Sequence, residues 1–320
     1  MKVSKYKTVV NDHKQSISAF AGYLQNLGYA LDTIRTETNY TAFFLAWLEE
    51  VQTPQAETTY NDLLCFIEQC TALGDSRSLV NRKLSAIRKY YNYLLREGVV
   101  TKNPAIGLFV KNKGERIPSN LLTGEELTEL YENYPVVDLR TQRNKVMVGL
   151  LVYQGVTRQE LERIEVIHVK LTTGKIEIPG SKHSSSRVLK LESTQILPLS
   201  QYITHTRNEI LKGNGCYGLG RKPIAKGDQN EPIRLFISMY GMEDIKNSFL
   251  HLIRALRGQN PKLINAQQIR QSVITLWLRT KDLRTTQYMA GHRYVSSTER
   301  YQINHLEDLQ DALDQFHPLK

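Results

Sequence analysis

The stretch KNPAIGLFVKNKGERIPSN, residues 102–120, constrains the fold more than any other part of the chain. Two prolines, two glycines and a cluster of charges interrupt a sequence that is patterned as helix for a hundred residues before it. Prolines and glycines cannot continue that pattern, and the charges disfavour burial, so the stretch reads as a linker at 113–120 between two cores. Directly after it, LTGEELTELY offers Thr123 and Glu126 as a capping box, so a new helix and a second domain are expected to start near residue 121.

The region before the break, residues 1–112, reads as a bundle of helices. ISAFAGYLQNL places Phe20, Leu24 and Leu27 on one face. NYTAFFLAWLEEV does the same with Tyr40, Phe44, Trp47, Leu48 and Val51, and YNDLLCFIEQC with Tyr60, Leu63, Leu64 and Ile67. A fourth helix, SRSLVNRKLSAIRKYYNYLLREG, stops at Gly98. Its Arg82, Lys89 and Arg96 recur every seven residues and so form one stripe, flanked by Arg77, Lys83 and Arg88. A basic stripe of this kind suits a polyanion.

The second region, 121–320, begins with NKVMVGLLVYQGV, apolar on nearly every side and therefore a buried helix. GKIEIPGSKHSSSRVLKL alternates on either side of a polar turn, which predicts a β-hairpin. From about Leu197 onward the pattern is helical again, apart from IRLFISM, whose state the pattern leaves open. The fold class is mainly α with a small β-sheet, the second domain being α+β. A last apolar stripe, Ile303, Leu306, Leu309, Leu313 and Phe316, predicts a tail helix over about 303–316, packed on its own domain or on a neighbouring subunit.

Lys and Arg outnumber Asp and Glu by 42 to 32, a net charge of +10, which favours an anionic partner such as nucleic acid. Cys65, Cys70 and Cys216 make no CxxC pair and read as reduced thiols rather than a metal site. The first residues hold no apolar run of signal-peptide length, and the longest apolar runs are too short to span a bilayer. A cytoplasmic, nucleoid-associated protein is expected.

The chemistry concentrates in GHRYVSSTERY, residues 291–301, where His292 and Tyr301 stand nine positions apart. A tyrosine that attacks phosphorus starts from a phenol of pKa about 10 and must lose its proton, while the departing 5′-hydroxyl must gain one. Negative charge gathers on the non-bridging oxygens, and arginines stabilise it bidentately without any metal or cofactor. That reaction needs two arginines, a proton donor and the tyrosine. Candidates stand in that order: Arg158 in YQGVTRQEL, Lys182 in the hairpin turn, Arg270 in NAQQIRQSVITLWL, then His292 and Tyr301.

In this arrangement the chain resembles the tyrosine recombinases, the phage-integrase and Xer-like family. LSAIRKYYNYLLREGVVTKNPA is similar to the end of the family's helical DNA-binding (core-binding, SAM-like) domain, and MAGHRYVSSTERY to its Gly-His…Thr-Thr-x-x-Tyr signature. The resemblance implies a two-domain, C-shaped clamp on double-stranded DNA, monomeric when free and tetrameric across two sites, which cleaves one strand through a 3′-phosphotyrosine. It also implies that Tyr301 is the nucleophile, Arg270 a phosphate clamp, His292 a hydrogen-bonding partner of the phosphate and Lys182 the general acid. Arg187 and Arg293, with His183, are expected as phosphate contacts or surface.

Two positions depart from the family pattern. The residue three before the second arginine, usually His or Lys, is Gln267, which can donate a hydrogen bond but not a proton. The first arginine is expected two residues after Gly155, where Thr157 stands; Arg158 comes one place late, a rotation of about 100° on a helix that a small shift of the helix start would correct. Two other readings therefore stay open: a DNA-binding protein of the same fold that no longer cleaves, and a type IB topoisomerase.

Overall fold

The computed structural model describes residues 14–111, 120–182, 184–214 and 232–301, and divides at residues 115 and 116 into two compact units. The expected tail helix, His183 and Cys216 lie outside the described residues, as does the expected linker except for Asn120.

In the first unit four helices, α1 (Lys14–Asn26), α2 (Leu31–Glu50), α3 (Tyr60–Ala72) and α4 (Arg77–Arg96), enclose one aromatic core. Phe66 sits at its centre, with the rings of Phe43, Phe44 and Trp47 at 5.9, 5.2 and 5.2 Å. The α3 face differs from the sequence expectation. Leu63, Phe66 and Cys70 point inward, while Tyr60 and Leu64 are exposed; the period was read correctly and the face was rotated. Residues 103–111 are stitched to α4: Asn81 exchanges two 2.8 Å hydrogen bonds with Val110.

Helix α4 gives partners within the fold to three of the basic residues expected at DNA. Lys83 is only 6% exposed, pairs with Asp75 at 2.5 Å and lies 3.7 Å from the centre of the Phe43 ring. Arg88 donates to the carbonyls of Ala105 and Leu108 at 3.0 and 2.7 Å, fixing the chain that follows α4. Lys89 pairs with Glu37. Lys83 is enclosed by the fold, while Arg88 and Lys89 are half-buried against their partners. Arg77, Arg82 and Arg96 are exposed, Arg96 with its guanidinium 5.7 Å from the Tyr23 ring.

The second unit is built around α6 (Leu139–Gln154), covered by α5 (Gly124–Glu132), the four-residue α7 (Arg158–Leu161), a sheet of β1 (Val169–Lys170), β2 (Lys175–Ile178) and β3 (Arg187–Lys190), α8 (Ser193–Gln201), α9 (Arg207–Leu211), α10 (Lys246–Gln259), α11 (Ala266–Thr280) and α12 (Leu283–Ala290). Thr123 and Glu126 form the expected capping box of α5. The sheet is antiparallel in the order β1-β2-β3, with Ile178 opposite Arg187 and Ile176 opposite Leu189. The two-residue β1 was too short to register as a period in the sequence.

Pro198 inside α8 has no N–H for the carbonyl of Thr194, and the Tyr131 hydroxyl donates to it at 2.9 Å instead. IRLFISM proves to be neither helix nor regular strand. Leu235, Phe236 and Ile237 are buried in an extended segment whose carbonyls accept from side chains: Tyr202 Oη to Leu235 and Arg143 Nη1 to Ile237, each at 2.9 Å. Buried side chains satisfy part of that backbone. An antiparallel bridge between Arg234 and Glu165 satisfies another part, the Leu235 N–H donating to the Ile164 carbonyl at 2.8 Å.

Phe66→Ala removes the ring on which the first core converges and is expected to cost about 3–5 kcal/mol. Urea unfolding followed through Trp47, in a Trp277→Phe background, measures it; a cost below about 1 kcal/mol would show that the cluster can close over the gap.

Candidate active site

The short α7 sets the site's geometry. Thr157 is its N-cap: the Thr157 hydroxyl accepts from the Glu160 N–H at 3.2 Å, and Glu160 Oε2 accepts from the Thr157 N–H at 2.8 Å. This box fixes the helix start, so the small shift that would bring Arg158 into register does not occur. Arg158 instead pairs with Glu162 at 3.1 Å on a partly exposed face.

Glu160 is buried, and its other oxygen, Oε1, accepts from Arg187 Nη1 at 2.6 Å. Arg187 is thus no surface residue. Its side chain is enclosed because β3 turns Arg187 and Leu189 inward, Arg187 opposite Ile178. Arg270, near the start of α11, lies 3.6 Å from Glu160 Oε2 and donates at 2.6 Å to the carbonyls of both Gly155 and Ala290, tying the end of α6 to the end of α12. Burial pushes the Glu160 carboxyl up, but the hydrogen bond and charge of Arg187 and the charge of Arg270 outweigh it, so the acid stays below its ordinary range.

Gly291 follows α12 in the left-handed region at φ +70°, and a Cβ there would lie 2.4 Å from Arg187 Nη1. Only glycine lets the backbone pass over that guanidinium. The same segment holds the hairpin: the Ser185 N–H donates to the Gly291 carbonyl at 2.9 Å, Ser184 bridges His292, and Arg293 Nη2 donates to the Ser181 carbonyl at 3.1 Å. The turn that carries exposed Lys182 is therefore pinned on both sides to residues 291–293.

The His292 Nδ1 lies 2.8 Å from the Thr298 hydroxyl, which fixes the ring, and Tyr301 stacks on it at 6.1 Å between centroids and 17° between planes. Tyr301 is 9% exposed and packs with Ile274 and Ala290. Burial raises its phenol above the ordinary value, while Arg270 and Arg300 pull it down in part. Burial also depresses His292 to about 4, helped by the charges of Arg270 and Arg187, so the imidazole is neutral at pH 7. Gln267 is exposed on the first turn of α11, three residues before Arg270.

The structure thus gathers Arg270, His292 and Tyr301 with Arg187 and Glu160, and anchors the Lys182 turn beside them. Arg158 turns away. The sequence assigned Glu160 no role, and Arg187 only one as a phosphate contact or surface residue. The alternation of Ile176 and Ile178 against Leu189 carried the missing signal, because the same parity places residue 187 inward.

The folded-state pKa of His292 lies below its unfolded value of 6.5, so the unfolded chain binds the extra proton first. Stability from this group is fully present above pH 6.5 and is lost as pH falls toward 4. Urea midpoints measured between those limits should fall more steeply with acidification for the wild type than for His292→Gln; parallel curves would mean that the ring accepts a proton in place.

The phage integrase family profile matches residues 120–307, and the profile of its N-terminal SAM-like domain matches 17–98. The chain is similar to tyrosine recombinase XerD of Oceanobacillus iheyensis, 26% identical over 263 residues that cover 80% of this chain and 82% of the relative. It is likewise similar to tyrosine recombinase XerC of Anoxybacillus flavithermus, 26% identical over 294 residues, 89% of this chain and 92% of that one. Its fold matches the XerH site-specific recombinase bound to palindromic difH substrate in a post-cleavage complex (TM-score 0.69, 17% identity, 98% of this chain and 88% of that one). It also matches the Tn1549 transposon integrase in complex with transposon right end DNA (TM-score 0.63, 12% identity, 94% and 99%). The integrase profile alone spans more than half of the residues, and the chain belongs to the phage integrase family.

Proposed function

We propose that this protein recombines DNA at specific sites through covalent attack by Tyr301. Site-specific recombination by a tyrosine recombinase is the reaction of its family. The observation that carries the assignment to Tyr301 is its ring, stacked on a neutral His292 and within charge reach of the buried Arg270.

In the cleavage step the Tyr301 Oη–P bond forms, the phenolic proton passes to solvent and the P–O5′ bond breaks. Lys182 delivers a proton to the departing oxygen, since an exposed ammonium in a pinned turn can approach DNA docked over residues 291–293. Arg270 holds a non-bridging oxygen. Neutral His292, with Nδ1 engaged by Thr298, has Nε2 left for the phosphate, and Gln267 adds a hydrogen bond without proton transfer. Attack by the 5′-hydroxyl of a partner strand then reverses these bonds, and the phosphotyrosine conserves the energy of the phosphodiester. Cations supply the electrostatic stabilisation, so the reaction needs no metal.

Both units are assigned to double-stranded DNA, Arg77, Arg82 and Arg96 from the first and Arg293 from the second. Monomers assemble into a homotetramer across two sites, in the cytoplasm on the nucleoid. Among the described residues no helix is long and apolar enough to cross a membrane.

Duplexes selected for binding from a random pool give the target site, and a nicked suicide form of it tests the chemistry. The wild type is expected to form a protein–DNA adduct in EDTA. Tyr301→Phe should bind as tightly and form none, and Arg270→Ala should slow the adduct by about 10²–10³. No wild-type adduct on the selected site would leave a DNA-binding protein without cleavage. In the same assays the logarithm of affinity should fall with the logarithm of salt concentration by about 0.9 per phosphate neutralised, and Arg82→Ala with Arg96→Ala should flatten that slope. An unchanged slope removes that face of α4 from the interface.

A further inference from the structure

We infer that Arg187, from the hairpin strand β3, is the phosphate-clamping arginine that residue 157 does not supply. The inference rests on the recombinase reading above and names a further catalytic residue for it.

The position for a first arginine is occupied by Thr157, whose hydroxyl is committed to the α7 cap. Arg158 is committed to Glu162 and reaches solvent. A pentavalent transition state with one fewer positive charge would lose much of its stabilisation, so a chain that keeps the reaction needs the charge from elsewhere.

Arg187 is placed and unoccupied in the way this role demands. It is 2% exposed, and only Nη1 is hydrogen-bonded, to Glu160. Nε and Nη2 are buried with no hydrogen-bond partner among the described residues. A guanidinium that serves only to pin a hairpin would be expected to have its donors satisfied, since each buried donor left open costs about 1–3 kcal/mol. The open pair, Nε and Nη2, lies on one edge of the guanidinium, the edge that grips two oxygens of a phosphate side by side.

Its surroundings agree. The guanidinium lies beneath Gly291, next to His292, and shares Glu160 with Arg270. Its charge is felt at both His292 and Arg270. Two guanidiniums, one carboxylate and a neutral imidazole leave one positive charge over, which a phosphodiester matches and the more anionic transition state matches better. In the cleavage step Arg187 forms no covalent bond and transfers no proton. Its Nε and Nη2 donate to the non-bridging oxygens as the Tyr301–phosphorus bond forms and the P–O5′ bond breaks.

The test uses the full chain and the selected suicide duplex in two forms, one with an ordinary scissile phosphate and one with a methylphosphonate, in which a methyl group replaces a charged oxygen. Arg187→Ala is expected to slow adduct formation on the phosphate by about 10²–10³ and to recover most of that loss on the methylphosphonate, where less charge needs neutralising. An equal loss on both substrates would mean that Arg187 only positions the hairpin, and no loss would mean that it does nothing for the reaction; either overturns the inference. It also fails if Arg158→Ala, and not Arg187→Ala, shows the charge-dependent loss. Should Arg187→Ala not fold, Arg187→Lys is read instead. Lysine can still pair with Glu160, so wild-type rates would assign a structural role, whereas a loss confined to the phosphate supports the clamp. Failure of the wild type itself to form an adduct would refute the recombinase reading, a result distinct from all of these.

Discussion

The buried carboxylate of Glu160 joins the parts of this site that come from distant places in the chain. One oxygen closes the cap of α7, the other holds Arg187 on the hairpin, and Arg270 of α11 stands 3.6 Å away. Arg270 in turn fastens the carbonyls that end α6 and α12. Four helices and a strand are registered by three charged groups that scarcely meet water. Such a triad is poor at adding net stability, because desolvation consumes most of the attraction, but it fixes geometry: loss of the carboxylate alone would strand two buried cations at a cost of about 3–5 kcal/mol.

The same network sets the protonation states around the nucleophile. Burial opposes charge on every group, yet the arginines add a positive field that acts unequally. Arg270 and Arg187 push the imidazole further toward neutrality, and Arg270 with Arg300 pulls the phenol partly back toward ionisation. Covered as it is by Ile274 and Ala290, Tyr301 keeps its proton at neutral pH. The field is therefore better suited to an incoming anion than to a free tyrosinate, and activation of the nucleophile is tied to arrival of the phosphate.

Much of this was legible in the residues. The cap at Thr123, the buried helix over the apolar run 146–153 and the alternating hairpin each follow from a local rule, and each formed as read. What failed depended on direction or on partners far away in sequence. Lys83 and Arg88 share a helix with Arg82 and Arg96, but a rotation of one step brings them against Phe43 and the carbonyls after α4, while Lys89, on the stripe itself, meets Glu37 of α2. The segment around Leu235 has no period of its own, because its backbone is satisfied from distant places, by Arg143 and Tyr202 and by a short pairing with residues 164–166. Arg187 was hidden by its charge: an arginine on a strand is usually taken as outward, and only the register with Ile178 overrides that habit.

Thr157 and Arg187 are best understood as one choice. An arginine at residue 157 would forfeit the side-chain cap of α7, worth about 1 kcal/mol. It would also put a third guanidinium beside the one carboxylate already shared by Arg187 and Arg270, in surroundings where like charges are poorly screened. With threonine there, the helix start is fixed, Glu160 keeps an oxygen free, and that oxygen draws the β3 guanidinium beneath Gly291. Glycine at 291 completes the exchange, because any side chain would occupy the space the guanidinium has taken. The cation absent from the start of α7 thus returns through the sheet, and three residues far apart in sequence constrain one another through a single pocket.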